Sequence, residues 1–346
     1  MQPIATLVIP MHNEARRVGK CLDSILASSY RLDLCEIIAV DNGSTDASAN
    51  IADEKLKGLP NARVLRLTTT NVAVGLNRAL RMAEGRFLVR MDAHCEYSRD
   101  YLKNCLMELS LRGAGNVGGV LTTLPGSETW VARAIALVSA HPVGVGWSEF
   151  RLGLGDRFVD TVPFGAFRTR TLRALGGYNE ALARNQDYEL NSRIRAAGEQ
   201  IYLSTAVHVK YYNSTCLRNF LLQALRNGRG AALSWKANSG SFSMRHAAPV
   251  AFVSLVTLAA WVSAFSSGAR LVLMTIVMLY LAPLLYCGLE LAARHNWRHF
   301  FLVPAILLLY QIAYGVGTLL QYFELAVRAG GEVRELVAGG QEEAGD

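Results

Sequence analysis

Phe87-Leu88-Val89-Arg90-Met91-Asp92-Ala93-His94 is the stretch on which the reading of the chain turns. The apolar run at its start has the composition of a buried strand, and the run closes on two metal-capable side chains, Asp92 and His94, one residue apart. Strand alternation sends residues i and i+2 to one side, so Asp92 and His94 are expected to face one ion while Ala93 points away. Glu96 extends that face. Carboxylate and imidazole suit Mn2+ or Mg2+, and α/β enzymes present such a cation to a diphosphate at the end of a strand. An isolated Asp-x-His is more often a polar turn, so the surrounding sequence has to decide.

Upstream the strand pattern recurs. Ala5-Thr6-Leu7-Val8-Ile9-Pro10 is a nearly continuous apolar run ended by proline, as in a buried parallel strand, and Met11-His12-Asn13-Glu14 follows as a polar loop leading into a helix over 15–28. Glu36-Ile37-Ile38-Ala39-Val40 repeats it and delivers Asp41-Asn42-Gly43-Ser44-Thr45-Asp46, followed by a helix to about residue 56. Strand, acidic glycine turn, helix is the βαβ logic of a nucleotide site. Asp41 can accept a base N–H or a ribose hydroxyl, and Gly43 permits close backbone approach. Ser44, Thr45 and Asp46 are all helix-capping residue types, so they are expected to hold the turn while Asp41 binds. A third strand is read over 63–67, and Gly75-Leu76-Asn77-Arg78-Ala79-Leu80 opens a helix that ends at Gly85. Three strand ends then share one rim of an α/β sheet.

Four motifs in this order, IPMHNE at 9–14, VDNGSTD at 40–46, GLNRAL at 75–80 and EGRFLVRMDAH at 84–94, resemble the family 2 inverting glycosyltransferases with the GT-A fold. The resemblance implies a Rossmann-like, mostly parallel sheet and a nucleotide-sugar donor, most often a UDP-sugar. It assigns donor contacts to Pro10, Asn13, Glu14, Asp41, Gly43, Asn77 and Asp92, and Mn2+ or Mg2+ to Asp92 and His94. His94 stands where the family usually has a second aspartate, and imidazole is also a good Mn2+ donor. VRMDAH at 89–94, NVGG at 116–119, PFGAFR at 163–168 and RNQDYEL at 184–190 look most like the succinoglycan-biosynthesis branch.

Downstream, 116–123 reads as a strand, and 128–139 as a helix burying Trp130, Ala134, Leu137 and Val138. Phe164-Gly165-Ala166-Phe167-Arg168 leads into a helix capped by Thr169 or Thr171 and stopped by Gly176-Gly177. Another helix opens at Asn185-Gln186-Asp187-Tyr188-Glu189 and runs through Arg195. By the resemblance, Asp187 is the general base; its other reading is the N-cap of that helix. Glu189 is the second candidate, in an orienting or salt-bridging role. Gly165, Phe167, Arg168 and Gln186 accompany it around the acceptor, and Gln186 stands where the family often has glutamate.

Residues 217–236 form a basic amphipathic helix, with Leu217, Phe220, Leu221, Ala224 and Leu225 on one face and Arg218, Arg226, Arg229 and Lys236 on the rest. Gln223-x-x-Arg226 is similar to the motif of processive synthases, which makes Arg226 a donor-contact candidate, but Asn227 occupies the tryptophan position. A helix at the lipid surface is the first reading. Segments at about 247–265, 271–291 and 300–323 are each roughly 19 to 24 residues, enough at about 1.5 Å per residue to cross a core about 30 Å thick. The organisation expected is a catalytic domain over 1–214, an interfacial helix and linker over 215–246, three transmembrane helices over 247–323 and an acidic tail over 324–346. Arg245, His246, Arg294, His295, Arg298 and His299 place the N-terminal domain in the cytoplasm and the C-terminus outside, in a cell inner membrane.

The net charge of +7 does not mark a nucleic-acid binder, because the basic residues are dispersed; an anionic lipid surface and a phosphate-bearing ligand account for it. The six cysteines show no CxxC spacing, which excludes a zinc site of that kind and suggests reduced thiols. No signal peptide is read at the start. The function expected is β-linked sugar transfer to a polyprenyl-diphosphate-linked saccharide at the bilayer, alongside other glycan-assembly enzymes. Alternatives are transfer to polyprenyl phosphate itself, processive synthesis, and an inactive nucleotide-sugar-sensing scaffold.

Overall fold

The computed structural model describes residues 2–182, 184–241 and 244–342. Among them nine strands form one mixed sheet: β1 Ala5–Met11, β2 Cys35–Asn42, β3 Ala62–Leu67, β4 Phe87–Arg90, β5 Cys95–Tyr97, β6 Asn116–Leu124, β7 Arg157–Val159, β8 Gly165–Arg168 and β9 Ile201–Tyr212. Their order is β3-β2-β1-β4-β8-β6-β9-β5, with β7 paired to β9. The long ladders are parallel. β1 lies between β2 and β4 and runs parallel to both, in registers that set Met11 beside Asp41 and Val8 beside Arg90. β1 and β2 are buried along their whole length, which is why each reads as an unbroken apolar run. Chain order reverses on either side of β1, so the carboxyl ends of β1, β2 and β4 open one crevice, where α/β folds bind their ligands.

The helices are α1 Val18–Leu26, α2 Ser48–Leu56, α3 Val72–Met82, α4 Tyr101–Arg112, α5 Trp130–Val138, the one-turn α6 Pro142–Val145 and α7 Glu149–Leu152, α8 Thr169–Ala174, α9 Gln186–Ala196, α10 Leu217–Ala237, α11 Met244–Ser263, α12 Ser267–Arg294 and α13 His299–Glu342. α1 buries Val18, Cys21, Leu22 and Ile25, the i, i+3, i+4, i+7 stripe of an amphipathic helix. α3 begins earlier than its glycine suggests, because the Asn71 side chain accepts from Ala73 N at 3.0 Å and caps it. Gly75 sits inside that helix, where a Cβ would overlap Asn42 Oδ1; the missing side chain lets α3 lie against the end of β2.

Two expectations fail here. Trp130 is exposed, with Arg133 5.5 Å above its ring, and Leu137 is half-buried; Ala134 and Val138 are buried as expected, beside Ala132, Ile135 and Ala136. Thr169 does not cap α8 either. It lies within the helix and its hydroxyl donates to Gly85 O at 2.7 Å. The stop at Gly176-Gly177 is as expected, both with positive φ.

The chain divides into two compact units, Met1–Leu217 with Ala237–Ser241, and Arg218–Lys236 with Phe242–Asp346. In the second, three stretches are long and apolar enough to cross a membrane: His246–Ser263, Ser267–Arg294 and His299–Arg328, with mean hydropathies of 1.6, 2.1 and 1.8. Of the apolar face expected on α10, Phe220 and Ala224 are buried, Phe220 stacked on Tyr310 of α13 with centroids 4.7 Å apart, and small residues bring the two helices together. A Cβ at Gly228 would overlap Tyr314 O, one at Gly317 would overlap Leu225 O, and Thr318 Oγ1 donates to Gly228 O at 3.1 Å. α13 also runs past the expected tail boundary at residue 324, and Glu324 pairs with Arg229 of α10 at 3.0 Å. Residues 343–346 of the expected tail lie outside the described residues.

Candidate active site

The β1 and β2 ends are joined loop to loop. Asn13, with φ at 56°, accepts from Thr45 N at 2.8 Å through its side chain, while its own N–H donates to Ser44 Oγ at 2.9 Å. Glu14 N donates to Ser48 Oγ at 2.7 Å and Ala15 N to Asp46 Oδ2 at 3.1 Å. The side chain of Asn13, expected on the donor, therefore braces the Asp41 turn. Asp41 itself is 5% exposed and accepts from Ser44 N at 3.2 Å through Oδ1. Gly43 has φ at 65°, and a Cβ there would come to 3.1 Å from Thr68 O, so the turn needs glycine on both counts. Pro10 is buried in β1 opposite Val40. Asn77 is committed elsewhere: its amide donates to Tyr178 O at 2.7 Å and Glu180 Oε1 at 2.8 Å, and accepts from Tyr178 N at 2.8 Å.

β4 ends at Arg90, so Asp92 and His94 stand in the turn before β5 rather than on one strand face. They answer to different partners. Arg90 clasps Asp92 with Nε to Oδ1 at 2.8 Å and a terminal nitrogen to Oδ2 at 3.1 Å. His94 places Nδ1 3.3 Å from Glu14 Oε1 and sets its ring edge-on to Tyr211, centroids 5.1 Å apart. Burial opposes charge on His94, but the hydrogen bond and charge of Glu14 outweigh it and raise the imidazole above its ordinary value. Glu96 takes the Tyr212 hydroxyl at 2.8 Å.

The other terminal nitrogen of Arg90 donates to Asp187 Oδ1 at 2.7 Å. Asp187 lies in the first turn of α9 and does not cap it; Asn185 holds the N-cap position with φ at 62°. Desolvation raises the Asp187 carboxyl above the usual range, against the downward pull of Arg90, with the nearby charge of Asp92 adding to the rise. Phe164 N approaches Asp187 Oδ2 at 3.4 Å from a residue whose own φ is 60°. For a bulky side chain that is a strained backbone, of the kind that collects at functional sites.

β8 runs antiparallel to β4, setting Gly165 beside Arg90 on the rim but Arg168 beside Phe87 at the far end. Gly165, with φ at 107° and its Cβ position filled by Asn116 Oδ1, is a backbone requirement of the rim. Phe167 is core, 1% exposed, and Arg168 donates to the carbonyls of Leu109, Gly113 and Ala114 at the end of α4. Neither belongs to the rim, and strand direction is the reason. Gln186 donates to Leu182 O at 3.1 Å. Glu189 forms a two-point pair with Arg193 at 2.7 and 2.8 Å, the salt-bridging role expected of it. Arg226 is exposed on α10, in the second unit.

Sequence reasoning quoted Arg90 but gave it no part. Its signal was the charge itself, because an arginine closing a buried apolar strand has to be paired.

Among the described residues no three His, Cys, Asp or Glu side chains gather as a metal cage. Asp92 and His94 suit a different arrangement, a cation shared with a diphosphate whose oxygens complete the shell, as Mg2+ and its relatives are commonly held. The clasp of Arg90 leaves lone pairs on both Asp92 oxygens for that purpose.

A mixed, mostly parallel sheet of this order, with its rim at β1, β2 and β4 and three long apolar helices at the C-terminal end, defines a GT-A-like protein. Mannosyltransferase PcManGT from Pyrobaculum calidifontis, solved with GDP-Man and Mn2+, shares the fold at a TM-score of 0.59 and 22% identity, over 92% of this chain and 88% of that one. Residues 6–169 match the family Glycosyl transferase family 2, and the chain thus carries a family 2 glycosyltransferase domain. It is 28% identical to succinoglycan biosynthesis protein ExoA of Rhizobium meliloti over 273 residues, 76% of this chain and 81% of that protein. A Methanococcus voltae relative, named dolichyl N-acetyl-alpha-D-glucosaminyl phosphate 3-beta-D-2,3-diacetamido-2,3-dideoxy-beta-D-glucuronosyltransferase, is 23% identical over 90% of this chain and 95% of its own length.

Proposed function

We propose that the protein is a membrane-bound inverting glycosyltransferase of polysaccharide or cell-surface glycan synthesis, moving a sugar from a nucleotide sugar, a UDP-sugar by preference, onto a polyprenyl-diphosphate-linked saccharide with a β-linkage. The observation that carries this reading is the pair of carboxylates, the buried Asp92 and the half-buried Asp187, held on one rim by a single arginine. The name of the Rhizobium relative supports the pathway class, and that of the Methanococcus relative supports a lipid-linked acceptor.

In this mechanism Asp41, with the glycine turn beside it, receives the nucleoside. Asp187 takes the proton from the acceptor hydroxyl, the acceptor oxygen bonds to the anomeric carbon, and the bond to the nucleoside diphosphate breaks on the opposite face, which inverts the configuration. The raised proton affinity of Asp187 suits it to that task. Asp92 and His94 would hold a divalent ion, which would supply charge neutralisation to the leaving diphosphate. Burial around Arg90 and Asp187 keeps water from competing with the acceptor. The apolar helices hold the enzyme at the membrane where the acceptor resides, with the catalytic unit in the cytoplasm by charge bias.

The test is sugar transfer by the detergent-purified full chain, with a panel of nucleotide sugars and lipid-linked acceptors, in Mn2+, Mg2+ or chelator, beside Asp187→Asn. Expected is metal-dependent transfer of one sugar, abolished by Asp187→Asn while donor binding persists. Substantial transfer by Asp187→Asn sinks the assignment of the base. Donor binding without consumption on any acceptor favours the scaffold.

A further inference from the structure

The Arg90 side chain reaches two carboxylates of the rim, Asp92 and Asp187. It lies at the carboxyl end of β4, 5% exposed, and β4–β8 pairing sets it beside Gly165, next to the strained Phe164. Its Nε and one terminal nitrogen go to Asp92, two residues on, and its other terminal nitrogen to Asp187, 97 residues on. The rings of Phe164 and Tyr178 both lie 5.7 Å from the guanidinium carbon. Only arginine has a planar fork that fills two such sites at once; a lysine ammonium is a point charge that would satisfy one and leave the other.

We infer that Arg90 is a positioning residue for the transfer: it fixes Asp187 by Oδ1, leaves Oδ2 to take the acceptor proton, and ties the base to the donor-side Asp92. The inference rests on the proposed transfer reaction and adds to it a part for the arginine. Oδ1 is held at 2.7 Å, whereas Oδ2 has, among the described residues, the long 3.4 Å approach of Phe164 N. One carboxylate oxygen is therefore pinned and the other is open to a hydroxyl. Two carboxylates around one guanidinium also leave a net negative charge on the rim, which suits a site that receives a cation and a sugar carbon gaining positive charge. A guanidinium that merely neutralised two acids would need no such division of labour between the oxygens of Asp187.

Two measurements on the full chain in detergent test this, one of them without turnover. In thermal melts, Arg90→Gln is expected to lower the midpoint by roughly 6 to 12 °C in the wild-type background, since it strands buried carboxylates. The drop should be clearly smaller in an Asp187→Asn background, where one of the stranded charges is gone. Equal drops in the two backgrounds would overturn the bridge. In transfer assays, Arg90→Lys is expected to lose 10- to 100-fold in kcat with donor affinity, read by calorimetry with a UDP-sugar, within about threefold of wild type. Added guanidinium, at concentrations too low to unfold the protein, should restore part of the kcat of Arg90→Ala. Unchanged kcat in Arg90→Lys, a loss that only tracks donor binding, or no response of Arg90→Ala to guanidinium would each overturn the positioning role. A wild-type chain that transfers nothing fails the glycosyl-transfer reading and the positioning role with it, while the melting cycle still decides the bridge.

Discussion

Asp41 and Asp187 are both carboxylates at the rim, and they are put there in opposite ways. Asp41 accepts from the backbone of a residue three positions on, within a turn braced by the neighbouring β1 loop, where Asn13 meets Thr45, Glu14 meets Ser48 and Ala15 meets Asp46. Asp187 depends on an arginine from a different strand, 97 residues earlier. The first site is complete within two consecutive βα units, whereas the second exists only once β4, β8 and α9 are assembled. A site closed by local hydrogen bonds should change affinity when its carboxylate is altered. A site closed by a remote ion pair should change rate.

The largest effect that can break this contrast is on turnover. Asp187→Asn is expected to cut kcat by roughly 10²- to 10⁴-fold, the range for a positioned general base, and to leave the donor dissociation constant near wild type. Asp41→Asn should do the reverse, weakening donor binding about tenfold, roughly 1.4 kcal/mol, with kcat little changed. Calorimetry and steady-state rates on both variants decide it. Equal losses of kcat would show that the two halves act as one unit.

A smaller effect sharpens the role of the remote pair. Burial raises Asp187 above the ordinary carboxylate range, and Arg90 pulls it back. A general base works when deprotonated, so kcat should fall as pH drops through that raised value, on a limb lying above the ordinary carboxylate value of about 4. Weakening the pull with Arg90→Lys should move the limb to higher pH still. A pH–kcat profile of the two enzymes reads the shift directly, and a limb that moves down would contradict the sign of the Arg90 contribution.

The same contrast explains what the sequence disclosed. The β1, β2 and β3 strands, the Asp41 turn and the three apolar helices are each determined by neighbours in the chain, and periodicity and turn chemistry find such features. The partners of Asp187, His94 and Asn77 lie on other elements, and no local pattern carries them. Phe167 and Arg168 were placed around the acceptor with Gly165, yet an antiparallel strand carries them away from the rim, to positions beside Leu88 and Phe87. Asn13 was assigned to the donor by the family resemblance, and in the structure its side-chain oxygen accepts from Thr45 N. Asp92 and His94 were set on one strand face, although the strand has already ended at Arg90.

The smallest expected effect lies in the second unit, where the contrast between local and remote determination recurs. Charge counting along the chain carries the end of α13 to the outer side of the membrane, away from a basic α10 on the cytoplasmic side. The ion pair of Arg229 with Glu324, at 3.0 Å, joins the end of the third apolar stretch to α10. Both side chains are 39% exposed, so the pair itself contributes little, on the order of 0 to 1 kcal/mol, and Glu324→Gln should barely move the melting midpoint. What the pair reports is location. Cysteines introduced singly at Arg226 and Glu324 should be labelled by an impermeant thiol reagent from the same side of sealed vesicles, because two helices joined by Gly228, Thr318 and this ion pair cannot present those positions to opposite compartments. Labelling of Glu324→Cys from the other side alone would return the topology to the one that charge counting gives.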